Sequence, residues 1–150
     1  MRLPVSLQSL SDSDQGRVAE ALHLLLEPLG GIAAFVKPGQ KVLIKPNLLA
    51  GKSPEKAVTT HPEIVRQVIR LVQGTGAVVT VGDSPGLGKP ENVARKCGIY
   101  DVVKATGARF ASFEESLPVQ FGSGTFHQLE VSRDCLLYTS PSPRDRSRDL

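Results

Sequence analysis

The sequence contains no tryptophan, and aromatic residues make up only 5% of its 150 positions. Few side chains are therefore available to stack against bases, which argues against nucleic acid as a partner. The two cysteines, Cys97 and Cys135, are far apart in the sequence and form neither a disulfide framework nor a metal-binding pair. Apolar runs are much shorter than the roughly 18 residues that cross a bilayer, so we expect no membrane partner.

Charge and composition indicate a globular protein. The formal net charge is +3 and like charges do not form blocks, so the basic character is weak evidence for a nucleic-acid partner. With 40% hydrophobic and 22% charged residues the chain can bury a core, and its length suits one domain. The first residues lack the basic start and apolar centre of a signal peptide, and we therefore expect a cytoplasmic protein.

Apolar periodicity alternates between helical and strand patterns along the chain. Helical spacing is found over residues 14–29, 60–74, 91–97 and 100–106, and strand patterns over 41–45, 77–81 and 109–113, with one or two weaker strands over 121–131. Strands separated by helices of this length predict an α/β fold. We expect an open, mainly parallel sheet with right-handed crossovers and helices on both faces.

The last sixteen residues, CLLYTSPSPRDRSRDL, differ in character from the rest. Hydrophobic periodicity stops, and Ser, Pro, Arg and Asp crowd together, which is typical of a linker or tail. The first eleven of these residues also resemble the translation of a transposase end sequence that is used to prepare sequencing libraries. We therefore expect a partial α/β domain over residues 1–134, incomplete at its carboxyl end, and a non-native, disordered tail over 135–150.

Polar residues gather where the carboxyl ends of the predicted strands should meet, which is where open α/β sheets bind ligands. The candidate ligand-binding residues are Lys45, Asn47, Thr60, His61, Asp83 and Ser84. A helix that begins near His61 offers free N–H groups and partial positive charge, to which Lys45 adds a full charge. The pattern therefore predicts a site for a phosphate- or carboxylate-bearing small molecule.

Each candidate also has a purely structural interpretation. Thr60 is the first residue of a Thr-x-x-Glu capping box, so its role can be simply to cap the helix. His61 can be a surface or capping residue. Asn47 and Asp83 can either provide oxygen ligands to a cation such as Mg²⁺ or hold the loops by hydrogen bonds to the backbone. The sequence leaves these alternatives open, although we expect no metal in this chain.

Residues 82–86 fit the G-x-S-x-G pattern that presents a nucleophilic serine in hydrolases. The context does not match, because the glycines and prolines that follow Ser84 prevent a helix from starting there, and His127 is the only later histidine. A flexible loop is the better interpretation, and no catalytic residue is assigned. Cys97 is expected to be a half-buried packing residue.

Three ordered segments carry a family resemblance: VLIKPNLL, AVTTHPEIVRQVIRLV and VTVGDSPG, which together span residues 42–86. The combination resembles the uncharacterised family called domain of unknown function 362, and the likeness continues to about Phe113. The six candidate site residues occupy the family's motif positions. The resemblance implies a protein that occurs alone or joined to ferredoxin-like segments whose cysteine-rich motifs hold four-iron clusters.

The present chain has no C-x-x-C-x-x-C run, so we expect no cofactor in it and an iron-sulfur cluster only in a missing portion. The leading hypothesis is an amino-terminal α/β part that contributes an anion-binding crevice to a redox or iron-sulfur-associated protein. One alternative is a noncatalytic scaffold that docks a ferredoxin-like partner, and another is a fragment without function. The sequence does not decide whether the whole protein is an enzyme.

Overall fold

The computed structural model describes residues 5–120 and 128–137. The chain divides into two compact units, Met1–Ser112 and Phe113–Leu150. This division lies upstream of Asp134, where the sequence suggested that the α/β domain stops. The candidate site residues all belong to the first unit.

The first unit alternates helices and strands in the order expected of an α/β fold. Its elements are α1 (Gln15–Leu26), β1 (Lys41–Ile44), α2 (Pro62–Gly74), β2 (Val78–Gly82), α3 (Pro90–Lys96), α4 (Ile99–Ala105) and β3 (Arg109–Ala111). The strands form one sheet in the order β1-β2-β3, and both pairings are parallel. The predicted α/β class and its parallel sheet are therefore confirmed.

The main core lies on one face of this sheet. Val79 and Val81 of the central strand join a cluster with buried residues of the helices, among them Val65, Ile69, Ala94, Val102 and Val103. Side chains of a strand alternate between faces, so Val78 points the other way, and it is 61% exposed. Because the strands follow one another in sequential order, right-handed crossovers place successive helices on the same face. Buried residues of α2, α3 and α4 all belong to this one cluster.

Helix starts and strand ends follow local chemistry. Asp14 caps α1, since its side chain accepts hydrogen bonds from the amides of Gly16 and Arg17. The helical segment after α1 tightens into a 3-10 turn before Gly30, which has a positive φ of 92°. Strand β3 is shorter than the predicted 109–113, and Phe113 has a φ of 55°, which an extended strand does not contain.

The second unit contains an antiparallel pair, β4 (Ser116–Gln120) and β5 (Gln128–Ser132), followed by a 3-10 segment, Arg133–Leu137. We expected the strands over 121–131, and β4 was missed because Pro118, which cannot donate to a ladder, discourages a strand assignment. Residues 121–127 of the predicted segment lie outside the described residues. The same holds for 138–150 of the predicted tail.

Candidate functional site

Asp83 follows the central strand and is only 4% exposed. One carboxylate oxygen, Oδ2, accepts a hydrogen bond from the backbone amide of Leu48 at 3.0 Å. The other, Oδ1, lies 2.5 Å from Nζ of Lys45, whose side chain is 65% exposed. A buried carboxylate at the end of β2 therefore holds the loop after β1 and fixes an ammonium group at the surface.

Asn47 and Thr60 connect the loop after β1 to the loop before α2. The amide of Asn47 donates to Oγ1 of Thr60 at 3.0 Å, and the amide of Thr60 donates to the carbonyl oxygen of Asn47 at 3.1 Å. The Asn47 side chain donates to the carbonyl oxygen of Val58 and accepts from the amide of Leu49. Of the two roles considered for Asn47, the structure shows the loop-holding one.

His61 is the N-cap of α2, and its Nδ1 accepts a hydrogen bond from the amide of Glu63 at 3.2 Å. The predicted capping box is wrong in its register, because the Thr60 hydroxyl serves Asn47 instead of the helix. Since Nδ1 accepts, Nε2 carries the ring proton and is the ring's remaining donor. Pro62 has no N–H and the amide of Glu63 is already used, so the helix start provides fewer free donors than expected.

The third loop, after β2, joins the first through the amide of Gly86, which donates to the carbonyl oxygen of Leu49 at 3.1 Å. Ser84 is exposed, and Leu87 is 76% exposed. Helix α3 does not begin until Pro90, so Ser84 is not on the strand-to-helix turn that the G-x-S-x-G motif requires. The loop interpretation of this motif is the one that fits.

These hydrogen bonds bring the six predicted site residues to one edge of the sheet. We call residues 45–61 and 83–89 the carboxyl rim. Lys45 contacts Asp83 directly, and His61 follows Thr60, which is bonded to Asn47. Four lysines and two acidic residues leave the carboxyl rim with a formal charge of +2. The Glu55 carboxyl within it has a lowered pKa, first because Ser53 donates a hydrogen bond and then because its own backbone amide does so.

Comparison of the sequence with known proteins identifies a family. The family model described as "Domain of unknown function (DUF362)" matches residues 42–139. The chain belongs to this family. It is 37% identical over 132 residues to "Thylakoid-associated protein sll1697" of Synechocystis sp. (strain ATCC 27184 / PCC 6803 / Kazusa), which covers 88% of this chain and 41% of that protein. The chain therefore spans about two fifths of that relative. No solved structure matches.

The resemblance to DUF362 that the three sequence segments carry is thus confirmed. Within residues 5–120 and 128–137, no three side chains of His, Cys, Asp or Glu are grouped so that they could hold a metal ion. In the same ranges, none of the helices combines the length and hydrophobicity of a transmembrane segment. Cys97 is fully buried and its thiol donates to the carbonyl oxygen of Ala94, which fits the packing role predicted for it.

Sequence reasoning did not identify two features of this DUF362 site. The first is the backbone of two adjacent leucines: the Leu48 amide donates to Asp83, and the Leu49 carbonyl oxygen accepts from the amide of Gly86. No side-chain pattern signals such a role. The second is the state of the Thr59 hydroxyl, whose Oγ1 is buried and has no hydrogen-bond partner among the described residues. Its position beside Thr60 was visible in the sequence, but which of two adjacent threonines faces the loop depends on the turn geometry.

Proposed function

We propose that the carboxyl rim of this DUF362 chain binds a small molecule that carries a phosphate or carboxylate group. The supporting observation is the exposed ammonium group of Lys45, which the buried carboxylate of Asp83 holds at the end of the sheet. A cation that is already positioned loses little conformational freedom when a ligand arrives, which favours binding. The position also agrees with the rule that open α/β sheets bind ligands beyond the carboxyl ends of their strands.

The six proposed ligand-binding residues divide into two groups by their hydrogen bonds. Lys45, His61 and Ser84 have groups directed to solvent or still free to donate, and in this proposal they contact the ligand. The side chains of Asp83, Asn47 and Thr60 form hydrogen bonds with backbone groups of the loops, and in this proposal they position the first group. The net positive charge of the rim favours an anion over a cation.

Titration calorimetry of the 150-residue chain with inorganic phosphate and with citrate tests this proposal. Lys45→Gln should lower the affinity for at least one of these anions about fivefold, because one charge-assisted contact is lost. Lys41→Gln is the matched control, since it removes an exposed lysine from the other end of the same strand. Its affinity should equal that of the unaltered chain.

Two outcomes contradict the proposal. If neither anion binds the unaltered chain, the carboxyl rim is not an anion site. If the Lys45 and Lys41 variants lose the same affinity, binding reflects the overall positive charge and not this position. A His61→Gln variant extends the test, because it keeps an acceptor that can cap α2 while removing the imidazole.

For the whole protein we propose an association with redox or iron-sulfur chemistry, with the cluster outside this chain. The support is the membership in DUF362 together with the short coverage of the Synechocystis relative. The competing proposal is a noncatalytic module that docks a ferredoxin-like partner, which the loop-holding bonds of Asn47 and Thr60 favour. Iron analysis of the longer protein and an electron-transfer assay with a ferredoxin separate the two.

We retain the cytoplasm as the proposed location. The name of the Synechocystis relative raises attachment to a thylakoid surface as the alternative. Fractionation of cells that express the longer protein decides between them, because a peripheral protein sediments with membranes at low salt and is released at high salt. Recovery in the low-salt supernatant supports the cytoplasm.

A further inference from the structure

A cavity of about 680 Å³ lies between α1, the 3-10 turn Ile32–Ala34 and the second half of α2. Its walls are mainly apolar and include Ala19, Ile32, Val36 and Leu71. The volume falls within the range of about 300–1,000 Å³ that small-molecule sites occupy. We call this cavity the α1/α2 groove.

The α1/α2 groove is separate from the carboxyl rim. Helix α2 has 13 residues and is therefore about 20 Å long. The carboxyl rim lies at the start of α2, where His61 is the N-cap. The groove is lined by residues of α2 from Gln67 onwards and by Thr75, just beyond the end of the helix. A ligand in the groove would therefore lie toward the amino-terminal edge of the sheet and would not contact Lys45.

The charges at the groove are of one sign. Among the described residues that line it, the charged ones are Lys37 and Arg70, and both are basic. Lys37 Nζ donates to the carbonyl oxygen of Ala33 at 2.7 Å, a neutral acceptor that leaves its charge uncompensated. Arg70 is exposed, and its side chain makes no hydrogen bond or ion pair within the described part of the chain. Two cations that have no carboxylate partner among the described residues thus border an apolar cavity.

We propose that the α1/α2 groove binds a small amphiphilic anion, with an apolar body in the cavity and a carboxylate or similar group at Arg70 and Lys37. Burial of apolar surface supplies most of the affinity, and the two cations orient the ligand. A guanidinium group suits this task because its parallel N–H donors match both oxygens of a carboxylate. This site is independent of the proposed function of the carboxyl rim.

Titration calorimetry with decanoate tests the proposal, and decyltrimethylammonium, which has the same chain length and the opposite charge, is the matched probe. One molecule of decanoate should bind in the α1/α2 groove of each chain, and the cation should bind there at least about tenfold more weakly. Arg70→Gln should reduce the decanoate affinity about fivefold, which is the effect of one exposed charge pair. Lys104→Gln, which removes an exposed cation from α4, should leave it unchanged.

A variant that blocks the cavity tests the location. Ala33 is exposed and lines the groove, so Ala33→Trp fills the cavity without disturbing the core. It should abolish the decanoate binding that depends on Arg70. Circular dichroism checks that each variant is folded.

Equal binding of both probes overturns the anionic part of the proposal. Failure of decanoate to bind the unaltered chain overturns the site and indicates a surface that packs against other protein. Because decanoate also carries a carboxylate, any binding at the carboxyl rim would be lost in Lys45→Gln and kept in Arg70→Gln, which keeps this test separate from that of the carboxyl rim.

Discussion

The inner and outer sides of the carboxyl rim satisfy their polar groups in different ways. On the inner side, the Asp83 carboxylate and the Thr60 hydroxyl accept hydrogen bonds from backbone amides of the first loop. On the outer side, the Lys45 side chain is 65% exposed and Ser84 is exposed. Groups bonded to the backbone determine the shape of the loops, while exposed groups remain available to a ligand. Residues from one sequence cluster therefore have separable effects on stability and on the proposed binding.

The inner side should be most sensitive at Gly82, the last residue of β2. A Cβ atom at this position would collide with the carbonyl oxygen of Ala111 on the neighbouring strand. Gly82→Ala therefore forces β2 and β3 apart where the rim begins, and we expect it to lower the free energy of unfolding by about 3 kcal/mol. Urea denaturation of the variant and the unaltered chain measures the difference.

Gly74→Ala provides the control for this substitution. Gly74 ends α2, and a Cβ atom there would meet no atom within 4 Å. Alanine is a better helix former, so the control should be neutral or more stable by about 0.5 kcal/mol. A Gly82 variant as stable as the control would show that the two strands can separate at little cost, and the rim would then be less rigid than its hydrogen bonds indicate.

The second largest effect should come from Asp83. Asp83→Ala leaves the amide of Leu48 without its acceptor and should cost about 2 kcal/mol of unfolding free energy. Asp83→Asn keeps an oxygen for that amide and loses only the pairing with an exposed lysine, so it should cost about 1 kcal/mol or less. Chemical denaturation of both variants measures the two costs. Equal losses would mean that the charge and not the hydrogen bond to Leu48 stabilises the loop.

The sequence was sufficient to predict the parallel sheet and its helices because their apolar periodicity is strong. Val79 and Val81 of β2 and Ile69 of α2 fall at the expected spacing and lie in the core. The arrangement of helices about the sheet was less predictable, since it depends on strand order, and local periodicity carries no information about which strands become neighbours. The exposed strand β4 was missed because Pro118 disrupts its local strand pattern, so that only its pairing with β5 shows it to be a strand.

The candidate site was predictable in position but not in the role of each residue. Polar residues after apolar strands must lie at the carboxyl edge of a parallel sheet, which is enough to bring Lys45 and Asp83 together. Roles depend on individual hydrogen bonds. The sequence left capping open for both Thr60 and His61, and the structure gives it to His61, because the imidazole and not the hydroxyl accepts from the amide of Glu63.

The adjacent threonines offer the smallest and most discriminating comparison. Thr60 Oγ1 accepts from the amide of Asn47, whereas Thr59 Oγ1 is buried and has no partner among the described residues. Thr60→Val should therefore cost about 1 kcal/mol of unfolding free energy, because the amide loses its acceptor. Thr59→Val should cost nothing or stabilise the chain, since valine has the same shape and removes an unsatisfied hydroxyl. Thermal and urea denaturation of the two variants measure both values. A larger loss of unfolding free energy in Thr59→Val than in Thr60→Val would contradict the hydrogen-bond assignment. It would mean that Thr59, and not Thr60, stabilises the carboxyl rim.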